Sequence, residues 1–332
     1  MDAVKAFFNA PSFDSLKTAI AQVVRTVIER HGYVKPAILL LIVISFIHTI
    51  LKYNGLLRKK SLKGEHVFIT GAGMGIGRKM SIILGKLGCK LTLADLNMEA
   101  VTATENELKK NGVQVHSVKC DVSNPEEVHA AAEKAREAFG DVSILINNAG
   151  IVSGKPLMQN PNKMIEKVMA VNATAHAYTV KEFLPAMMQR NHGHVVTIAS
   201  SAGTCGVPLL ADYCASKFAA VGFDESLRAE MKKFNKKIRT TCICPYFINT
   251  GMFDGCKSKF PWLLPILEED YAAWRIITAL RQNEDFVLMP WFCNLAMLFK
   301  GILPPSMCDT MASFFGVNAA MDDFRGRAGR SS

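Results

Sequence analysis

The cysteines of this sequence lack the spacing of a zinc site or a disulfide framework. Nine cysteines occur, which is an odd number, and no two of them form a CxxC pair. They are Cys89, Cys120, Cys205, Cys214, Cys242, Cys244, Cys256, Cys293 and Cys308. Cys242 and Cys244 alternate within an apolar run, a position typical of small buried side chains. We therefore expect reduced thiols in a cytosol-facing domain and no metal site.

The sequence also lacks the clustered basic face of a nucleic-acid-binding protein, although its net charge is +10. Most lysines and arginines are spread among acidic residues in segments of helical composition. One basic group directly follows an apolar run and consists of Lys52, Arg58, Lys59, Lys60 and Lys63. That placement favours contact with a membrane surface over nucleic acid. Membrane lipid is therefore an expected partner and nucleic acid is not.

An apolar segment near the N-terminus has no signal-peptide cleavage site after it. Residues 37–51 (AILLLIVISFIHTIL) are uncharged and are flanked by Lys35 and Lys52. As a helix, residues 36–51 would cover roughly 24 Å, whereas the hydrocarbon core of a bilayer is ~30 Å thick. We interpret residues 36–52 as an uncleaved helical membrane anchor. Whether this anchor spans the membrane or forms a hairpin stays open at this point.

The segments on either side of the anchor have different patterns. Within residues 1–35, apolar side chains recur at three- and four-residue spacing, which predicts an amphipathic helix. This helix either lies on the membrane or packs on the folded domain, and its place before the anchor favours the membrane. Residues 53–63 form a basic linker. The excess of positive charge after the anchor predicts a catalytic domain that faces the cytosol.

Beyond the linker, strand-like and helix-like segments alternate without a repeat or a low-complexity stretch. The strand-like segments are HVFIT, KLTLAD, QVHSVKCD, SILINNAG, HVVTIAS and RTTCICP. Strands that are apolar on both faces and alternate with helices predict a parallel sheet covered on both sides. We therefore predict an α/β Rossmann-type fold, a doubly wound parallel sheet, over residues 64–255.

The first strand-like segment runs into a glycine-rich turn and then a helix. Residues 70–77 read TGAGMGIG, in which Gly71, Gly75, Ile76 and Gly77 are the expected cofactor contacts. Glycines allow a tight turn and a close approach of the backbone to a pyrophosphate, which the helix N-terminus then stabilises. Asp95 ends the second strand-like segment, where a carboxylate would meet an adenosine ribose diol. The pattern predicts a dinucleotide site that prefers NAD, with NADP as the alternative.

Three further motifs follow in order: NNAG at residues 147–150, Ser200 with Ser201 at a strand end, and YCASK at residues 213–217. With TGxxxGxG, they make residues 64–255 resemble the short-chain dehydrogenase/reductase family. The stretches KEFLPAMMQRNHGHVVTIASSAG and YCASKFAAVGF are similar to its membrane-bound branch of retinol and 17-beta-hydroxysteroid dehydrogenases. The resemblance implies an oxidoreductase of an apolar alcohol or its carbonyl compound, at the endoplasmic reticulum membrane or a lipid droplet, and a homodimer.

The spacing of the YCASK motif has a chemical meaning. Tyr213 and Lys217 are one helical turn apart, so the ammonium should lower the pKa of the phenol. The resemblance implies that Tyr213 transfers the alcohol proton and that Ser200 holds the substrate oxygen, with Ser201 as the neighbour that is easily confused with it. It also implies that Asn172 supports the proton-relay water, which completes a catalytic tetrad.

The resemblance further implies cofactor contacts from Asp121, Val122, Asn148 and Thr250, and from Tyr213 and Lys217 of the tetrad. Asn147 is expected to steady the glycine-rich loop. One position departs from the family, because Tyr246 follows Pro245 where glycine is usual. That departure puts the local nicotinamide contacts in doubt.

The C-terminal part of the chain is rich in apolar and aromatic residues. We expect residues 256–320 to cover an apolar substrate, with subunit packing or membrane contact as alternatives for residues 291–315. Residues 321–332 are expected to be a flexible tail. A membrane or lipid-droplet scaffold that keeps the fold without turnover is a competing interpretation, and the intact tetrad argues against it.

Overall fold

The computed structural model describes residues 55–326 continuously and, before them, residues 18, 21–23, 25, 26, 38–41, 43, 44, 47, 50 and 51. The chain divides into two compact units, residues 1–58 and residues 59–332. The described residues among 18–26 and 38–51 are helical. The rest of the expected amphipathic helix and anchor lies outside the described residues. Among the residues that are described, no helix combines the length and the apolar character needed to cross a membrane.

The second unit is built on one sheet of seven parallel strands, in the order β3-β2-β1-β4-β5-β6-β7. The strands are β1 (His66–Thr70), β2 (Lys90–Asp95), β3 (Val115–Lys119), β4 (Ile144–Asn147), β5 (Gly193–Ile198), β6 (Ile238–Pro245) and β7 (Phe286–Met289). The strand order reverses between β1 and β4, which opens a crevice at the carboxyl ends of the strands. The predicted Rossmann-type parallel sheet is confirmed.

Helices cover both faces of the sheet. They are α1 (Gly75–Lys86), α2 (Met98–Lys110), α3 (Pro125–Phe139), α4 (Asn162–Met169), α5 (Ala175–Arg190), α6 (Ala211–Lys233), α7 (Glu269–Gln282), α8 (Phe292–Ile302) and α9 (Pro305–Phe314). Buried side chains of α1, α2 and α7 pack in one core layer, and those of α3, α5 and α6 pack in the other. This placement leaves the strand ends at the crevice free to carry the site.

Local sequence signals fix where the helices beside the crevice begin. Asn97 caps α2, because its side chain accepts a hydrogen bond from the backbone N–H of Ala100. Asn124 caps α3 in the same way, because its side chain accepts hydrogen bonds from the backbone N–H groups of Glu126 and Glu127. Pro125 is the first residue of that helix. Side-chain oxygens at these positions satisfy N–H groups that a helix leaves unpaired at its start. Both caps lie just after the strands that border the crevice.

The Rossmann unit extends further along the chain than residue 255. Helix α7 packs against α1, and β7 pairs with β6, so part of the segment 256–320 completes the sheet instead of covering a substrate. The beginning of the expected flexible tail is also ordered. Met321 is buried, and the backbone N–H of Arg325 donates to the main-chain oxygen of Asp254 at 2.8 Å. Residues 327–332 lie outside the described part of the chain.

Candidate active site

The glycine-rich turn between β1 and α1 depends on the absence of side chains. Gly71 and Gly75 have φ values of +64° and +55°, a region that favours glycine. A Cβ atom on Gly77 would lie 2.1 Å from the main-chain oxygen of Gly71. The Nδ2 of Asn148 donates to the main-chain oxygens of Thr70 at 2.9 Å and Gly71 at 3.0 Å. The turn is therefore a tight cradle that is held from the end of β4.

The residue that steadies this loop is Asn148, whereas Asn147 has a different place. The Oδ1 of Asn147 accepts a hydrogen bond from the hydroxyl of Thr179 on α5, at 2.7 Å. Successive residues of a strand point to opposite faces, so two neighbouring asparagines meet different partners. Asn147 ties β4 to the α5 layer, and Asn148 ties the end of β4 to the glycine-rich turn.

Asp95 is fixed at the rim of the crevice by backbone groups. Its Oδ2 accepts from the N–H of Gly73 at 2.8 Å, and its Oδ1 accepts from the N–H of Asn97 at 2.9 Å. These two bonds join the end of β2 to the glycine-rich turn and to the start of α2. The carboxylate therefore has a defined orientation beside the cavity.

A cavity of about 470 Å³ follows the carboxyl ends of the strands and is lined by all the cofactor contacts expected from the sequence. These are Gly71, Gly75, Ile76, Gly77, Asp95, Asp121, Val122, Asn148, Tyr213, Lys217 and Thr250. The side-chain-free cradle, the carboxylate at the rim and the residues that line the cavity suit a nicotinamide dinucleotide. Its pyrophosphate would lie on the glycine-rich turn and its ribose beside Asp95.

Lys167 on α4 also lines this cavity, and the sequence analysis did not identify it. Its Nζ donates to Asp121 at 2.7 Å and to the hydroxyl of Ser123 at 2.8 Å. Burial acts in the opposite direction, but the hydrogen bonds from Lys167 and Ser123 hold the pKa of Asp121 below its usual value. Lys167 lies in no motif and reaches Asp121 across 46 positions of sequence, so no local signal pointed to it.

Three residues of the predicted catalytic tetrad meet in this cavity. Ser200 and Tyr213 are both buried and line the cavity together with Lys217. The Nζ of Lys217 donates to the main-chain oxygen of Ile198 at 2.9 Å. The Oγ of Ser200 accepts from the N–H of Ala202 at 3.1 Å, which fixes its side chain. Ser200, Tyr213 and Lys217 thus come together as their order in the sequence predicted.

Burial controls the acidity of Tyr213 and Lys217. It raises the pKa of the Tyr213 phenol, and the Ser200 hydroxyl offsets only part of that rise. It lowers the pKa of Lys217 to about 8. The spacing of the motif predicts a lowered pKa, whereas in this structure the pKa of the phenol is raised, because the loss of water around the buried ring outweighs the hydrogen bond with Ser200.

Asn172 occupies a short π-helical turn, Ala170–Thr174, between α4 and α5. Its Oδ1 accepts from the N–H of Ile151, and its Nδ2 donates to the main-chain oxygen of Ile151 and to the Ser216 hydroxyl. The side chain is fully buried and engaged by protein groups. In this structure Asn172 therefore joins the loop after β4 to helix α6, and its side chain does not line the cavity.

A second cavity of about 240 Å³ adjoins the first at Ser200 and Tyr213. Its walls are almost entirely apolar and come from the segment after β5, from the loop after β6 and from α8 and α9. They include Val207, Leu210, Phe247, Phe253, Leu264, Phe292, Met297, Phe299, Met311 and Phe315. The hydroxyl groups of Ser200 and Tyr213 therefore lie where the larger cavity meets the apolar one.

Tyr246 borders both cavities at the position where glycine is usual. Its backbone N–H donates to the main-chain oxygen of Met289 at 2.7 Å, and its ring packs on that of Phe247 at 4.7 Å. Tyr246 is not among the four described non-glycine residues with a positive φ. The side chain is therefore accommodated without left-handed backbone, and it forms part of the wall of both cavities.

Known proteins share both this sequence pattern and this architecture. The sequence model of the short chain dehydrogenase family matches residues 65–259. Epidermal retinol dehydrogenase 2 of Mus musculus is 46% identical over 271 residues, which are 81% of this chain and 88% of that protein. Estradiol 17-beta-dehydrogenase 11 of Rattus norvegicus is 42% identical over 255 residues, which are 76% of this chain and 85% of that protein.

Solved structures of short-chain dehydrogenases are similar to this chain as well. A short-chain dehydrogenase/reductase of Burkholderia phymatum, solved with NAD, is similar with a TM-score of 0.67 and 28% identity, over 73% of this chain and 94% of that one. A metagenomic short-chain oxidoreductase, solved with NADP, is similar with a TM-score of 0.58 and 28% identity, over 69% of this chain and 97% of that one. The fold is thus shared with proteins whose structures were solved with NAD or NADP.

Proposed function

The chain belongs to the short-chain dehydrogenase family, and on that premise we propose that its substrate is a long apolar alcohol, a retinol or a hydroxysteroid, or the corresponding carbonyl compound. It is an oxidoreductase of CH–OH groups that uses a nicotinamide cofactor. The observation that carries the substrate proposal is the apolar cavity that ends at Ser200 and Tyr213. Two similar proteins are named for retinol and estradiol, which supports the same class of substrate.

The proposed chemistry follows from the position of the Ser200 and Tyr213 hydroxyl groups between the two cavities. An alcohol whose apolar body fills the second cavity would place its oxygen between Ser200 and Tyr213, where the two cavities meet. A bound nicotinamide supplies the hydride acceptor in oxidation and the hydride donor in reduction. Ser200 orients the substrate oxygen, Tyr213 takes or gives the hydroxyl proton, and the charge of Lys217 favours the ionised phenol.

We propose that NAD is the preferred cofactor. Asp95 would accept hydrogen bonds from the ribose diol of NAD and repel the 2′-phosphate of NADP. Two nearby cations are already engaged: Arg78 pairs with Glu107, and Lys79 pairs with Asp270 at 2.8 Å. They are thus poorly available to a phosphate, which supports NAD.

A substrate panel tests this function. Purified full-length protein would be assayed with all-trans-retinol, estradiol and a long-chain fatty alcohol, each with NAD and with NADP. We expect turnover of retinol or of the steroid, with a higher kcat/KM for NAD than for NADP. Absence of turnover in every combination, with cofactor binding intact, would instead favour the scaffold interpretation.

We also propose that residues 36–52 anchor the protein at the endoplasmic reticulum membrane or a lipid droplet, with the catalytic domain in the cytosol. The apolar run and the basic residues after it support this location. Protease added to intact microsomes should digest the domain, whereas protection until detergent is added would contradict the topology. We propose a homodimer as the assembly, which light scattering of the detergent-solubilised protein would test.

A further inference from the structure

Helices α8 and α9 are unusually apolar and yet exposed. Residues 291–315, which contain both helices, carry one cation, Lys300, and one anion, Asp309. Leu298, Ile302 and Met307 are between 51% and 70% exposed. Isolated exposed apolar residues are normal on a protein surface, but a contiguous group of them marks an interaction surface.

Helix α8 carries apolar side chains on more than one side. Met297, Leu298 and Phe299 follow one another and are each at least 40% exposed. Because a helix turns about 100° per residue, these three side chains point in different directions. Met297 and Phe299 line the apolar cavity, so α8 carries apolar side chains both on the side of the cavity and on the outer side of Leu298. An exposed apolar outer side of this kind is stable when it is covered by lipid or by another protein.

Aromatic rings extend the same surface beyond the two helices. The ring of Phe314, at the end of α9, lies 5.7 Å from that of Phe260, which in turn lies 6.3 Å from Trp262. Trp262 is 79% exposed. Tryptophan is enriched where membranes meet water, because its ring is apolar and its N–H group is polar.

Lys300, the one cation within residues 291–315, is turned toward the protein. The Nζ of Lys300 donates to the main-chain oxygen of Thr204 at 2.6 Å and lies 4.9 Å from the centre of the Phe218 ring. Asp309 lies at the wall of the apolar cavity. The exposed faces of Leu298, Ile302 and Met307 therefore present no charge of their own to a partner.

The same two helices form one wall of the apolar cavity. Met297, Phe299 and Met311 line it, while Leu298, Ile302 and Met307 do not and face outward. A molecule dissolved in lipid that covered the outer face would thus be separated from the cavity by the thickness of one helix layer.

We propose that the α8–α9 pair, with Trp262 and Trp291, docks into the surface layer of a phospholipid membrane and that the substrate enters the apolar cavity from that layer. The entry of substrate rests on the proposed oxidoreductase activity, whereas the docking does not. The proposed anchor in residues 36–52 keeps the domain at a membrane, which favours lipid over a soluble partner as the occupant.

Tryptophan quenching tests the docking directly. The chain contains three tryptophans, and Trp274 on α7 is as exposed as Trp291, each at 40%. Full-length variants that keep a single tryptophan, the other two replaced by phenylalanine, would be reconstituted in phosphatidylcholine vesicles with acyl chains brominated near the headgroup. We expect the bromines to quench Trp291 and Trp262 and to leave Trp274 unquenched. Equal quenching of all three, or of none, would overturn the docking.

Kinetics test the entry path. Leu298→Gln, Ile302→Gln and Met307→Gln would be combined, since none of the three lines either of the two cavities described above. Phe234→Gln at the end of α6 serves as the control because Phe234 is also half exposed. With all-trans-retinol in vesicles, we expect a severalfold higher KM for the triple variant only. With retinol delivered from cyclodextrin, the triple variant should match the wild type.

Two other outcomes would count against this entry path. Equal effects in vesicles and in cyclodextrin would show a general defect of the triple variant. Loss of self-association in the triple variant, without tryptophan quenching in the wild type, would assign the surface to a second copy of the chain. If the wild type turns over neither retinol nor estradiol, the proposed function fails, while the quenching result still decides the docking.

Discussion

The Nζ of Lys217 lies 5.7 Å from the centre of the Tyr213 ring, and both groups are buried. The phenol hydroxyl is the only group that Tyr213→Phe removes, and the fold around it needs no replacement partner. We expect this variant to bind cofactor and unfold at the wild-type temperature, while kcat falls roughly a hundredfold or more. Steady-state kinetics would measure the fall in kcat, and calorimetry would measure the unfolding temperature. A near-normal kcat would show that another group transfers the proton.

Lys217→Met removes the charge that favours the ionised phenol. We expect the acidic limb of the pH profile of kcat/KM for alcohol oxidation to move to higher pH, because a higher pH is then needed to ionise Tyr213. Lys217→Arg keeps a positive charge and should leave the limb closer to the wild-type position. Burial lowers the pKa of Lys217 from 10.5 to about 8, so its charged form costs stability below pH 8. The methionine variant should therefore be at least as stable as the wild type at pH 7.

Gly77→Ala tests the cradle of the glycine-rich turn. The new Cβ would lie 2.1 Å from the main-chain oxygen of Gly71 and 2.7 Å from Nδ2 of Asn148, so the turn must shift. We expect cofactor binding to weaken about tenfold or more, which corresponds to about 1.4 kcal/mol. Gly222→Ala is the control, because nothing lies within 4 Å of its Cβ position. Titration of protein fluorescence with cofactor would measure both, and unchanged binding by Gly77→Ala would place the cofactor elsewhere.

Asp95→Ala tests the choice of cofactor. Loss of the carboxylate removes both the contact to a ribose diol and the repulsion of a 2′-phosphate, so the ratio of kcat/KM for NAD over NADP should fall. Glu99→Ala is the matched control, since Glu99 is an exposed carboxylate on the first turn of α2 that does not line the cavity. A wild-type preference for NADP would contradict the role given to Asp95.

Asp224 on α6 predicts a dependence of stability on pH. Burial raises the pKa of its carboxyl from 3.8 to about 6, although the Thr197 and Thr240 hydroxyls act in the other direction. An acid whose pKa is raised by folding costs no stability below pH 3.8 and its full cost above pH 6. Asp224→Asn should thus gain about 2–3 kcal/mol over the wild type at pH 7.5. Urea unfolding at pH 5 and pH 7.5 would show a smaller gain at the lower pH, and an equal gain at both would argue against titration of this carboxyl.

Local motifs were the most informative part of the sequence. The glycine-rich turn, Ser200, Tyr213 and Lys217 are each placed by a few neighbouring residues, and the structure gathers them around one cavity. The sequence motif predicts Asn147 as the residue that steadies the glycine-rich turn, whereas Asn148 does so in the structure. A motif does not reveal which of two neighbouring residues faces the turn. The direction of the Tyr213 pKa shift depends on burial, which residue spacing alone does not give.

Features that depend on contacts between residues distant in sequence were harder to predict from the sequence. The apolar cavity combines residues from Ser200 to Ala320, so its size and shape follow from packing and not from any one segment. Strand β7 has four residues, FVLM, too few to distinguish from a turn of a buried helix. Residues 321–326 look like a polar tail in sequence, but their backbone and the Met321 side chain have partners around Asp254 and Cys256.

The position of β7 at the edge of the sheet has a consequence for the completeness of the domain. A chain that stopped at residue 255 would carry every motif of the catalytic site. It would nevertheless leave the outer side of β6 without the backbone partners that Phe286–Met289 supply. An unpaired strand edge of apolar residues such as Ile243 and Cys244 invites pairing with other chains. Strand β7 therefore shields the edge of β6, and a chain truncated at residue 255 is expected to aggregate even though it keeps every active-site residue.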